Sequence, residues 1–98
     1  MKEGTKLTIF EGYQKILQRI NLRENEEKYS HLVNSPHKTQ KEQQLHNDIL
    51  TMGMYIALLN GNETQLTTPK MLLESGCRIL YNKIMQQLDE CGWEHSKE

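Results

Sequence analysis

The chain has 98 residues, enough for one domain with one modest core, since a folded chain of this size buries about 65% of the surface its unfolded form exposes. Twelve Lys and Arg against thirteen Asp and Glu leave a net charge of -1, which excludes the global basic field that non-specific nucleic-acid binding draws on. Two cysteines, no N-terminal apolar segment of the secretory type and no apolar run near the ~18 residues of a membrane span lead us to expect a reduced, cytoplasmic protein without a membrane span.

The first periodic segment covers about 8–21. Phe10, Tyr13, Ile16, Leu17 and Ile20 recur at the three- and four-residue steps of one helical face, and Thr8 with Glu11 has the form of a capping box. A second, shorter helix is expected over 24–33, with Glu24, Glu26 and Glu27 where acidic groups suit the helix dipole. Whether it continues the first helix or turns back on it is left open by Asn21 to Arg23. Ser35-Pro36 then breaks the chain, and a third helix is expected to start between Pro36 and Lys41, at about residue 37, and to run to residue 60, closed by Asn60-Gly61. Its apolar residues Leu45, Ile49, Met52, Ile56 and Leu59 follow the alternating steps of a seam packed along one neighbouring helix.

Past a polar loop, Thr68-Pro69 repeats the start signal. A fourth helix over 69–91 carries Leu73, Cys77, Leu80, Ile84, Leu88 and Cys91 on one stripe. Gly92 stops it, and a left-handed Gly92 would pack Trp93 back on Leu88. Residues 94–98 are polar and are expected to fray. Gly53 and Gly76 stand inside the third and fourth helices, where each costs about 1 kcal/mol against alanine. Two explanations suit them: a tight crossing of these helices with each other, or the close approach of a ligand or another backbone.

The histidines and cysteines show no Cys-x-x-Cys or His-x-x-x-His spacing, so no metal site is expected. Cys77 lies on the core stripe with no neighbouring base, and there is no glycine-rich phosphate loop, so no catalytic residue and no cofactor are expected. The segment from Glu24 to Leu45, with Lys28, Lys38 and Lys41, is the nearest approach to a helix-turn-helix. It contains no arginine and is balanced by acidic residues, so nucleic acid is not the partner expected. Met54, with Leu50, Ala57 and Leu58, falls outside the seam of the third helix. That helix is therefore apolar over more of its circumference than one neighbour covers, through burial on several sides or through an exposed strip.

Leu72-Leu73-Glu74-Ser75-Gly76 and Asp89-Glu90-Cys91-Gly92-Trp93 resemble the Leu-x-Glu-Ser-Gly and Glu-Cys-Gly-Trp segments of the small helical enhancer-of-yellow family, subunits of transcription and mRNA-export assemblies. The resemblance is confined to residues 72–93 and is one residue short between its ends, so no function is carried over from it. In size and helix pattern the chain is also similar to the four-helix immunity proteins that protect bacteriocin producers, a likeness of architecture without a matching motif.

The sequence thus predicts an all-α bundle of three to four helices in which the last two form a long antiparallel hairpin. The function expected is that of a small non-enzymatic regulatory or inhibitory protein of bacterial or phage origin, acting by protein-protein binding through a helical face or as a homo-oligomer. Tyr13, Tyr29, Met54, Tyr55 and Leu58 are the contact residues expected, because they combine large or adaptable surface with positions beside the core stripes. An immunity-type protein, a DNA-binding regulator and a small-molecule sponge are the alternatives.

Overall fold

The computed structural model describes residues 8–61 and 69–95, and within them every regular element is helical. The order is α1 (Ile9–Ile20), one 3₁₀ turn (Arg23–Asn25), α2 (Glu26–Asn34), α3 (Gln40–Asn60) and α4 (Lys70–Glu90). The expected bundle with its long α3–α4 hairpin is the observed architecture, and α3 with α4 forms the most extensive pairing. The loop expected from Asn62 to Thr67, and the Thr68 cap, lie outside the described residues.

Local chemistry sets the helix ends. Thr8 Oγ1 accepts the Glu11 N–H and Glu11 Oε1 accepts the Thr8 N–H, both at 3.0 Å, so the first capping box forms as expected. A second box, which the sequence reading missed, closes Thr39 on Glu42 at 2.7 and 3.1 Å. Because Thr39 is held extended by that box, α3 begins at Gln40 and not at residue 37. The helix expected over 24–33 is likewise corrected to a 3₁₀ turn followed by Glu26–Asn34. α1 and α2 are separate, since Asn21 ends α1 by donating back to Leu17 and Arg19.

Gly61 ends α3 with φ -87° and needs no left-handed conformation. Gly92 is the contrasting case, at φ 77°. Gly92 N–H donates to Asp89 O and Trp93 N–H to Leu88 O, the two bonds of a Schellman motif, and Trp93 is buried.

The core joins Ile9, Ile16 and Ile20 of α1, Leu32 of α2, all five seam residues of α3, Leu73, Cys77, Ile84 and Leu88 of α4, and Trp93. Phe10 was expected on the inner face of α1, but Ile9 takes that place and Phe10 points outward. The inward face of α1 also includes a charge, Arg19, which is only 3% exposed. Its Nε donates to Glu94 O at 3.1 Å, and its Nη2 donates to Trp93 O at 2.7 Å and to Asp89 Oδ1 at 2.8 Å. Arg19 Nη1 is the one buried side-chain polar atom without a partner among the described residues.

Buried Asn25 works on the same segment. Its Nδ2 donates to Arg19 O and Glu94 O, while its Oδ1 accepts the Glu94 N–H at 2.8 Å. The fraying expected from residue 94 onward is therefore corrected at Glu94, whose backbone is bonded at both its N–H and its carbonyl. Residues 96–98 lie outside the described part.

Candidate functional site

Each mid-helix glycine receives a tyrosine. A Cβ at Gly53 of α3 would stand 2.7 Å from Tyr13 Oη of α1, one at Gly76 of α4 would stand 2.9 Å from Tyr55 Cε2 of α3, and one at Gly12 of α1 would stand 3.0 Å from Tyr81 Cδ1 of α4. The three helices thus interlock cyclically, each giving one tyrosine and receiving another. This replaces the expected crossing of α3 and α4 at Gly53 and Gly76: the approach at both points is by an aromatic ring.

The tyrosines also mark which side of the hairpin is covered. At about 100° per residue, Gly53 lies some 100° round α3 from inward-facing Met52 on one flank, and Tyr55 some 60° round on the other. On α4, Tyr81 and Gly76 lie on opposite flanks of Ile84 in the same way. Because Gly53 and Tyr81 meet α1 while Tyr55 and Gly76 meet each other, α1 covers one face of the hairpin and the Tyr55 ring lies on the other. The extents of the Cα trace, 39 × 35 × 18 Å, make the thin dimension about two helix layers deep, which leaves that second face open.

Following the same rotation, Leu58 and Met54 lie about 120° and 160° round from Met52 on the Tyr55 side, and Leu72 and Ile79 about 120° and 140° round from Ile84 on the Gly76 side. All four are between 43 and 66% exposed. The seat of Tyr55 on Gly76, together with Lys83 Nζ 3.6 Å from Asp48 Oδ2, fixes the register of the two helices. In that register Leu58 and Leu72 fall toward the loop end of the Tyr55 ring and Ile79 on its other side, forming one apolar patch. The positions around it, Asn47, Thr51 and Ser75, carry no charge. Among the described residues, charge returns at the far end of the face, with Lys83 and Glu90.

Three of the expected contact residues, Met54, Tyr55 and Leu58, are therefore brought together on this face. The other two lie apart: Tyr13 and Tyr29 line a cleft of about 350 Å³ on the α1–α2 side of α3, with Leu17, Val33, His46 and Leu50. Tyr13, Tyr29 and Tyr55 are all partly buried against the core. Leu72 and Ile79 were missed, although the test that isolated Met54 and Leu58, an apolar residue off the core stripe of its own helix, picks them out on α4.

Polar groups near the core are structural in their contacts. Asp48 is buried, accepting from Gln44 Nε2 at 3.0 Å and from Gln87 Nε2 at 2.8 Å, and so ties α3 to α4 beside the seam. Cys77 is buried and free, and its thiol is pushed up by burial and, after that, by the charge of Glu74, which keeps it protonated. No group of three or more His, Cys, Asp or Glu gathers as a metal site among the described residues. No helix among them is long and apolar enough to cross a membrane.

Neither a protein-family model, a curated protein nor a solved structure matches this chain. The functional reading therefore rests on the site.

Proposed function

We propose that the protein is a small non-enzymatic docking protein of the cytoplasm, regulatory or inhibitory in action, which binds protein through the open face of the α3–α4 hairpin. The observation that carries this reading is the charge-free apolar patch of Met54, Tyr55, Leu58, Leu72 and Ile79. Interface centres are depleted of charge and enriched in aromatic and methionine side chains, with polar groups at their rims, and this face has that composition. Tyr55 is the expected anchor, since its ring is held on Gly76 before any partner arrives, so little side-chain entropy is lost on binding.

The test is capture of interacting protein by tagged wild type and by Ile79→Glu. A charge placed at 66% exposure leaves the helix intact but puts an unpaired carboxylate into any complex formed there. The reading requires a partner held by the wild type and lost from the variant. Equal capture by both would contradict it.

The cleft beside Tyr13 favours a second reading, binding of a small apolar molecule. That reading requires a ligand-dependent rise in Tm, abolished by filling the cleft with Val33→Phe.

A further inference from the structure

Resting on that reading of the hairpin face, we infer that its occupant is a second copy of this chain. The two hairpins stack face to face about a two-fold axis parallel to their helices and complete a four-helix bundle at the centre of a dimer. Three observations carry this.

The first is area. Two helices of 21 residues each, about 31 Å long and together about 20 Å wide, present a face of roughly 600 Å², close to the ~800 Å² each partner contributes to a standard stable interface. The second is geometry. Rotation about an axis parallel to the helices sets α3 of one copy against α4 of the other, so every neighbouring pair in the new bundle is antiparallel, the up-down arrangement that short-loop bundles adopt. An isologous contact of this kind needs a face complementary to itself, and the Tyr55 patch then meets its own apolar, uncharged counterpart.

The third is charge at the far end. The register set by Tyr55 on Gly76 and by Lys83 beside Asp48 puts Glu90 level with Lys41, and Lys83 level with Asp48. In the stacked dimer Glu90 of one copy therefore comes opposite the uncharged Gln40 of the second copy and Lys83 opposite its uncharged Asn47, while Lys41 and the buried Asp48 stay turned toward their own α4. No like charges meet on either side of the axis. A face of this size whose few charges meet only uncharged polar groups is matched by its own copy without any clash to relieve.

Sedimentation equilibrium of the full chain tests the inference. At roughly 100 µM the expected mass is twice the 11.5 kDa of one chain. Leu72→Glu and Ile79→Glu should each raise the dimer dissociation constant at least tenfold with helix content by circular dichroism unchanged. A wild type that sediments as one chain up to about 1 mM overturns the inference. If that monomer still captures a different protein, and Ile79→Glu loses it, the docking reading stands and only the second copy is wrong. A dimer equally tight in both Glu variants overturns this interface, and the docking reading is then decided by whether Ile79→Glu loses captured protein.

Discussion

Tyr55 is the residue on which packing and proposed function meet. The intrinsic cost of glycine in a helix, about 1 kcal/mol against alanine, is offset in this fold by the ring each glycine receives, but the three seats are not equivalent. At Gly53 the atom in the way is the tip of a half-buried side chain, which swings aside, so Gly53→Ala should stabilise the protein by up to about 1 kcal/mol. At Gly76 the ring body of Tyr55 itself blocks the Cβ, and Gly76→Ala should show little or no gain. Restoring the gain by Gly76→Ala in a Tyr55→Ala background, with a coupling of at least ~0.5 kcal/mol in a urea-denaturation double-mutant cycle, identifies the seat. Additive effects would contradict it.

Arg19 makes the second residue-scale prediction. Its guanidinium fork serves two carbonyls and a carboxylate from a site that is almost fully buried, so Arg19→Met should cost about 2 to 4 kcal/mol in the same assay. Arg19→Lys should recover little of that, because an ammonium cannot reproduce the planar fork. Sequence periodicity had no access to this residue. An arginine on an apolar face reads as solvated until the chain that receives it, Trp93 and Glu94, is known to return from more than seventy positions away.

At the scale of elements, what was legible in the sequence was the part written in short-range patterns. The α3 seam, the α4 stripe, the Thr8 capping box and the Gly92 stop depend on residues within a few positions of one another, and each is found as read. The start of α3 was misplaced because Pro36 is a strong local signal, whereas Thr39 with Glu42 controls the actual cap. That box supplies a pH prediction. The Thr39 backbone N–H, followed by His31 3.1 Å away, holds the Glu42 carboxyl below its usual range. A depressed folded-state pKa contributes stability above the unfolded value of 4.5 and loses it as the pH falls through the lower folded value. The first turn of α3 should therefore loosen in that acid window, seen as faster amide exchange at Gln40–Gln43. Glu42→Gln, which keeps both bonds of the box, should remove the pH dependence. Persistence of that dependence in Glu42→Gln would assign it to another group.

For the whole molecule, the fold class followed from periodicity, but the candidate site was only half legible. Met54 and Leu58 could be singled out because they break the pattern of their own helix. Their union with Leu72 and Ile79 depends on which face of the hairpin α1 covers, and that is decided by three tyrosines finding three glycines on other helices. No spacing along one helix encodes such a match. It also explains why Tyr13 and Tyr29, chosen on the same grounds as Tyr55, lie on the other side of α3.

The most direct test of the docking face is site-specific photo-crosslinking of the intact protein, with a benzophenone side chain at position 79 in one sample and at position 18 in another. Gln18 lies on the outer surface of α1, beside Glu11 and Gln14, and is exposed. A discrete protein adduct is expected from position 79, of twice the chain mass if the second copy is the occupant, and none from position 18. Adducts of equal yield from both positions, or none from position 79, would contradict the claim that the open face of the hairpin is where this protein binds.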